Sequence, residues 1–472
     1  MAAVNDTTTK EPHVPWGSSP EKKPLNALAQ TMKLQLNYDE LTNCMRCGFC
    51  QAACPTFLET GLEAASPRGR IALMKAVVDG VMEPDQSFRE QMDLCLGCRA
   101  CEPVCPADVK YGHLLEETRD SLEQHVEHRW YINAARKAAF KELFPKPKRM
   151  KLLGTMLRTY QKSGLQKVAR GSGIMKLFPK NMRDMEKILP EASGKGVVEL
   201  FGTRVPAKGQ KIATVGMFRG CLMDVMFTET NRKTVQLLSE AGFEVLIPEA
   251  QNCCGALHAH SGEIDQAKQL ARQNVRAFRE AGVDYIASNA GGCGALLVEY
   301  DHLLHDEGDY ADDAKWFASR VKDVSQLLLE KGRLPQFSQP ADQSNPNGQP
   351  FTITYQDSCH LRNVMRSSNA PRNLMKRVAN VNFVELQGAD RCCGSAGIYN
   401  IVQTEMANQI LEHKMEHVKE TNAHVLITSN PGCLLQMKLG IEREHLSDKM
   451  EAVHIVDFLY DRIADGASSQ KG

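Results

Sequence analysis

Sixteen cysteines divide into two sets of eight, and each set is a pair of repeated motifs. In the first set Cys44, Cys47, Cys50 and Cys54 precede Pro55, and Cys95, Cys98, Cys101 and Cys105 precede Pro106. Both runs read C-x-x-C-x-x-C-x-x-x-C-P, a spacing from which one loop can wrap three corners of a 4Fe–4S cube with three thiolates. In the second set Cys221, Cys253, Cys254 and Cys293 are echoed by Cys359, Cys392, Cys393 and Cys433, each copy reading Cys, Cys-Cys-Gly, Cys. A chain whose whole thiol inventory sits at metal-ligand spacing is read most simply as an electron carrier.

A cube needs a fourth thiolate, and in two-cluster ferredoxins the cysteine before proline ligates the other cluster. One cluster is therefore expected on Cys44, Cys47, Cys50 and Cys105, and the second on Cys95, Cys98, Cys101 and Cys54. The exchange forces the two motifs together. Gly48 and Gly97 lie inside the loops, where backbone amides can approach the sulfides and tune the potential. Zinc is the plain alternative, but each run already supplies four ligands at tight spacing with a trailing proline. In the second set, adjacent cysteines cannot face one metal from a strand. On a tight turn relieved by Gly255 or Gly394 they can. Cys221, Cys293, Cys359 and Cys433 follow β-like runs, so four thiols from three loops converge at strand ends, where α/β folds build sites. A further iron–sulfur site in each repeat is expected; the alternative is four buried free thiols. His258, His260 and His360 read as structural hydrogen-bonders near these cysteines, with ligation or proton transfer as the sharper reading. Arg219 and Arg391 can lend charge to a thiolate or cluster.

The elements that must hold these residues follow from patterning. Residues 1–36, rich in Thr, Pro, Lys and Asn, read as a flexible lead-in. Residues 37–125 carry both four-cysteine runs. Between them Ser66-Pro67 starts a helix, with Ile71, Met74, Val77, Val78 and Val81 at helical spacing. The forty residues between Cys54 and Cys95 imply a helical domain rather than a compact bacterial ferredoxin. Residues 126–210 form a helical connector. Its stretch 136–170 has eleven Lys or Arg against Glu142 alone, either a solvated face or a docking surface for an acidic partner or anionic headgroups. The rest is a duplication: Cys221 to Cys359 spans 138 positions, Cys253 to Cys392 spans 139, and Cys293 to Cys433 spans 140. Strands are expected over 212–218, 243–247 and 283–287, and over 351–355, 381–386 and 425–428. Helices over 264–281 and 405–421 end at Gly282 and Asn422. Two Cys-Cys-Gly domains, 211–338 and 351–465, thus flank the linker 339–350, each an α/β layer. The fold class is multidomain: an α-helical two-cluster ferredoxin domain followed by two tandem α/β cysteine-rich domains.

Lys and Arg balance Asp and Glu at 57 each, so global charge does not point to nucleic acid. The chain lacks an apolar run of membrane-spanning length and a secretory signal, which with clustered thiols argues for the reducing cytoplasm. No G-x-G-x-x-G follows a strand, so neither flavin nor nicotinamide is expected on this chain.

The stretches CMRCGFCQAACPTF (44–57), SPRGRIALMKAV (66–77), LGCRACEPVCP (96–106), CCGALHAHSGE (253–263) and SNPGCLLQ (429–436) resemble the iron–sulfur subunit of bacterial glycolate oxidase. Related are the lactate-utilisation iron–sulfur protein, the small subunit of anaerobic glycerol-3-phosphate dehydrogenase, and heterodisulfide reductase. The likeness spans about 37–465. One departure is that the heterodisulfide reductase repeat ends in C-x-x-C, whereas Leu296 and Gln436 stand there in this chain. The resemblance implies a subunit that is not catalytic alone. Its partner would be an FAD-containing 2-hydroxyacid dehydrogenase oxidising glycolate, with electrons passing through two 4Fe–4S clusters towards a membrane quinone. The complex would lie in the cytoplasm or on the cytoplasmic face of the membrane. Two alternatives stand beside this: a lactate or glycerol-3-phosphate dehydrogenase subunit, and a reductase acting at the Cys-Cys-Gly site.

Overall fold

The two thiol sets fall in two kinds of architecture. The computed structural model describes residues 24–178, 180–339 and 351–464, so the expected linker lies outside the described residues beyond Gln339. The module carrying the first set is wholly helical. Its first helix, Ala27–Gln35, falls within the expected lead-in. Asn26 caps it by accepting the Ala29 N–H at 2.8 Å, and Ala29 and Met32 bury against the core of this module, so residues 27–35 are ordered by packing. Helix Pro67–Val78 starts at Ser66, whose hydroxyl accepts the Gly69 N–H at 3.1 Å, and buries Ile71, Met74, Val77 and Val78. The helix ends there and Gly80 turns at φ +73°, which carries Val81 out of the expected stripe to 40% exposure. Helix Tyr111–His125 closes the core with Leu114, Leu115 and Leu122.

The connector contains the helices Trp130–Arg136, Pro147–Lys162, Leu165–Gly171 and Lys180–Ile188. Much of its basic charge is paired within it or nearby: Lys146 and Arg149 meet Glu142, Lys151 meets Glu199, Arg158 and Lys162 meet Glu191, and Arg170 meets Glu186. These pairs favour a solvated face. Exposed pairs of this kind contribute little individually. Charge reversal at Lys148, for which no ion pair occurs among the described residues, is accordingly expected to move the melting temperature by less than a degree or so. A shift of several degrees on thermal scanning would point to a buried partner.

The repeats are parallel sheets. In chain order the strands are β1 (Arg204–Val205), β2 (Ala213–Phe218), β3 (Phe243–Leu246), β4 (Tyr285–Ser288) and β5 (Val321–Asp323). Then come β6 (Phe337–Ser338), β7 (Phe351–Gln356), β8 (Val378–Ala379), β9 (Val381–Phe383), β10 (Val425–Thr428) and β11 (Glu451–His454). The first sheet has the order β1-β3-β2-β4-β5 and the second β11-β10-β7-β9, parallel throughout except for β1. Two expected boundaries shift. β1, within 126–210, pairs into the first repeat's sheet, and β6, within 211–338, pairs with β8 of the second repeat. The strand expected over 381–386 ends at Phe383. The equivalent strands β3-β2-β4-β5 and β9-β7-β10-β11 run in the same order. Both sheets therefore reverse winding at one point, between β2 and β4 and between β7 and β10, where doubly wound sheets open a crevice at their carboxyl ends. Val215, Val245, Ile353, Tyr355, Val425 and Ile427 join both sheets in one core. Helices Ile264–Ala281 and Thr404–Glu420 stop before Gly282 at φ +64° and Asn422 at φ +47°. Among the described residues no helix is long and apolar enough to cross a membrane.

Candidate metal centres

In each ferredoxin run the residues on either side of the middle cysteine adopt the left-handed conformation: Arg46 (φ 56°) and Gly48 (φ 94°) around Cys47, Gly97 (φ 64°) and Arg99 (φ 58°) around Cys98. Backbone turned this way aims successive N–H groups into a concavity suited to an anion. Each loop takes the strain once at an arginine and relieves it once with a glycine. Cys44, Cys47, Cys50 and Cys105 share the wall of one cavity with Cys101, Ile71 and Tyr111. Cys54, Cys95, Cys98 and Cys101 are buried together. Burial, and then the neighbouring thiols, push Cys98 and Cys101 well above the ordinary thiol range; Cys54 and Cys95 are among those neighbours for both. Among the described residues no three His, Cys, Asp or Glu side chains stand close enough to hold a single metal ion.

The chemistry of the surroundings fits an anionic cluster. Arg70, on the helix after Ser66, is fully buried. Its Nε donates to the Gln91 carbonyl at 2.7 Å and its Nη2 to Thr56 Oγ1 at 3.1 Å, while Nη1 has no hydrogen-bond partner. No carboxylate is among the titratable neighbours that act on it, which are the Cys95 thiol, the Tyr111 phenol and then the Cys54 thiol. A buried guanidinium without a carboxylate costs several kcal/mol unless an anion answers it. Burial raises the Cys95 thiol, yet Arg70 and Arg119, with the Tyr111 hydroxyl at 3.5 Å, outweigh it and lower its pKa. Arg70 was not singled out from sequence, although a cation on an apolar helical stripe is a readable signal.

In the repeats, Gly255 and Gly394 each turn at φ +87° immediately after the cysteine pair. The strand ends then bring four thiols into a row. Cys221 Sγ lies 3.4 Å from Cys253 Sγ, and Cys254 and Cys293 follow, Cys254 acting on the charge of Cys253 and Cys293 on that of Cys254. The second repeat gathers Cys359, Cys392, Cys393 and Cys433 in the same order, each thiol acting on the charge of its neighbour. Leu296 and Gln436, one turn past the last cysteines, are buried. A cavity beside Cys221 and Cys253 is walled by Phe144, Pro147 and Met150, so the connector covers the first repeat's cysteines.

The ferredoxin loops dock on the repeats through polar contacts that local sequence does not announce. His360 Nε2 lies 3.0 Å from the Gly97 carbonyl, Asn363 donates to the Cys98 carbonyl at 2.9 Å, and Tyr399 donates to the Leu94 carbonyl at 2.8 Å. Leu96 and Cys98 pack with Cys392, Cys359 and Tyr399 in one cluster. The second cysteine run therefore abuts the second repeat's thiols. His258 Nε2 meets the Phe140 carbonyl at 2.9 Å, and His260 Nδ1 meets Glu116 at 2.8 Å. All three histidines are thus hydrogen-bonders between modules. Arg219 is buried, donates to the Glu249 and Gln251 carbonyls, and lies 3.9 Å from Asp224, whereas Arg391 is exposed.

Arg99 holds the first repeat as well, reaching both Glu299 oxygens at 2.6 and 2.5 Å, with His113 3.2 Å from the same carboxylate. Burial opposes ionisation of Glu299, but the His113 hydrogen bond and the Arg99 charge hold it at about 2. Its folded value lies below the ordinary one, so its contribution is present in full above about pH 4.5 and is lost as pH falls towards 2. Glu299→Gln is expected to remove roughly 3 kcal/mol at neutral pH. The measurement is thermal unfolding; an unchanged midpoint would mean that Glu102, which also pairs with Arg99 at 2.9 Å, alone satisfies it.

Paired four-cysteine loops on a helical module, joined to a duplicated cysteine-rich sheet domain, define an iron–sulfur protein of the dicluster ferredoxin class. Residues 40–109 match the 4Fe-4S dicluster domain family, and 215–297 and 353–438 match the cysteine-rich domain family. Residues 132–189 match the linker region of the glycolate oxidase iron-sulfur subunit. The probable glycolate oxidase iron-sulfur subunit of Bacillus subtilis (strain 168) is 49% identical over 439 residues, covering 93% of this chain and 97% of that one. The glycolate oxidase iron-sulfur subunit of Escherichia coli (strain K12) is 29% identical, covering 83% and 88%. Lactate utilization protein A of Geobacillus kaustophilus (strain HTA426) is 32% identical over 52% of this chain and 98% of its own. The chain belongs to the family of glycolate oxidase iron–sulfur subunits.

Proposed function

We propose that this chain is the electron-transfer subunit of a flavin-dependent glycolate oxidase, taking electrons from a partner flavoprotein and passing them towards a quinone. One 4Fe–4S cluster would be held by Cys44, Cys47, Cys50 and Cys105, and the other by Cys95, Cys98, Cys101 and Cys54. Each would accept and release one electron at a time. The carrying observation is the contact of the second run with the second repeat, where Cys98 packs beside Cys359 and Cys392. Such contact makes a continuous path from a helical module to a sheet module without solvent between them. The chain's own residues keep that path dry and fixed: Tyr399 and Asn363 clamp the backbone at Leu94 and Cys98, and His360 fixes Gly97. The thiol rows in the two repeats would each hold a further metal–sulfur group, which would neutralise thiolates gathered this closely.

The test uses the full chain purified without oxygen. Alone it is expected not to oxidise glycolate; mixed with its flavoprotein partner it is expected to support glycolate-dependent dye reduction. D-Lactate and glycerol 3-phosphate, offered in parallel, decide the substrate class. Turnover by this chain alone, free of flavin, would overturn the subunit reading in favour of a reductase.

A further inference from the structure

The duplication is in register at 140 positions across the helix behind each cysteine pair. Helix Ile264–Ala281 buries Ala267, Leu270, Ala271, Asn274, Val275 and Phe278. Helix Thr404–Glu420 buries Ala407, Ile410, Leu411, Lys414, Met415 and Val418, so Lys414 stands where Asn274 does. The two side chains occupy the same place for different purposes. Asn274 is neutral and fully satisfied: its Nδ2 donates to the Cys253 carbonyl at 2.9 Å and to Tyr300 Oη at 3.0 Å, and its Oδ1 accepts the Asn252 N–H at 2.7 Å. Lys414 is 3% exposed and donates to the Gly388 carbonyl. Among the described residues no carboxylate lies within ion-pair distance of it. Its helix packs on both cysteines of the pair, Ala407 and Ile410 clustering with Cys392, and Leu411 and Met415 with Cys393. After burial, the strongest influences on its charge are the thiols of Cys393 and then Cys392, ahead of Asp390. On the first repeat's side Arg219 is also buried near its cysteines, but Asp224 offsets it.

An ammonium on the apolar stripe of a helix is costly unless negative charge lies beside it. The second site has that uncompensated cation and the first does not. The second site also touches the ferredoxin loop at Cys98. We infer that Lys414 is the counter-charge of the second repeat's metal–sulfur group and makes that group easier to reduce than its counterpart behind Asn274. The second repeat is thereby the one that receives electrons from the ferredoxin module. The cluster held by Cys95, Cys98, Cys101 and Cys54 would give up one electron, and the group held by Cys359, Cys392, Cys393 and Cys433 would take it up, so the exchange balances without another reactant. The inference rests on the proposed presence of a metal–sulfur group in each repeat.

The experiment is an electron paramagnetic resonance redox titration of the full chain, purified anaerobically. Cys392→Ser and Cys253→Ser first assign the signals and metal content of the second and first repeats. Lys414→Asn is then expected to make reduction of the Cys392-dependent centre at least tenfold less favourable, about 59 mV for one electron. The Cys253-dependent centre should stay in place. Asn274→Lys should move the first centre the opposite way. If Lys414→Asn sheds the metal, Lys414→Arg decides: retention supports a role for charge, and loss in both overturns it. A Cys392-dependent midpoint unmoved by Lys414→Asn would also overturn the inference while leaving the metal sites standing. Full metal content in both cysteine variants would instead remove the reading beneath it, and the inference with it.

Discussion

Cys54→Ser, purified anaerobically, is expected to hold about four irons in the ferredoxin module where the parent holds about eight. The missing cluster should be that of Cys95, Cys98 and Cys101, although Cys54 belongs to the other run. Three observations motivate this. Cys105 opens onto the cavity of Cys44, Cys47 and Cys50, which leaves that loop with four thiols before Cys54 is considered. Cys54 is buried with Cys95, Cys98 and Cys101, whereas Cys47 is exposed and Cys44, Cys50 and Cys105 are half-buried. Arg70 is influenced by Cys95 and Cys54 together, so those two sulfurs flank one cation. Cys54 also influences Cys50, more weakly than Cys44 does, as two adjoining sites require. Iron analysis with the low-temperature spectrum of the reduced protein reads the result. Loss of the Cys44–Cys50 cluster, with the other intact, would show that each run keeps its own proline-linked cysteine.

Much of this site was legible because ligation by a loop is a local demand. Cys44, Cys47 and Cys50 must recur every third residue to wrap a cube, and Gly255 or Gly394 must follow a cysteine pair that turns back on itself. Helix Ile264–Ala281 was legible for a similar reason: its apolar stripe recurs at helical spacing, and Gly282 permits the left-handed stop. Strands β5 and β11 were not read. They are three and four residues long, each runs directly into a helix capped by its last residue, Asp323 or His454, and neither offers enough alternation to stand out. Helix Ala27–Gln35 was hidden by the polar composition around it; only Ala29 and Met32 are buried, and their partners lie far along the chain. The docking contacts of Tyr399, Asn363 and His360 join residues more than 260 positions apart, beyond any periodic signal. Arg70 and Lys414 fall between these cases. Each is a cation on an apolar stripe, at 70 beside 71, 74, 77 and 78, and at 414 beside 407, 410, 411 and 418. A charge in that position is a local violation, and such violations concentrate at functional sites.

Arg70→Gln should therefore act on one cluster only. The glutamine is close in reach, keeps an amide for the Gln91 carbonyl and removes the charge. The site at Cys54 and Cys95 then loses its buried cation, and its extra negative charge on reduction is no longer offset. At an effective dielectric near 20, a unit charge about 6 Å away is worth roughly 3 kcal/mol, so the midpoint should fall by roughly 100 mV. The cluster at Cys44, Cys47, Cys50 and Cys105 should shift much less. On its cavity wall Arg68 is half-buried and already paired with Glu63 at 2.6 Å, so Arg68→Gln serves as the comparison and should move either midpoint only slightly. Arg70→Lys keeps the charge but not the two-point grip on Gln91 and Thr56, and should restore most of the potential with some loss of thermal stability. A redox titration following both clusters separates these outcomes. If both midpoints stay put in Arg70→Gln while iron content is full, the buried guanidinium is there for its hydrogen bonds to Gln91 and Thr56, and the electrostatic account of this centre is wrong.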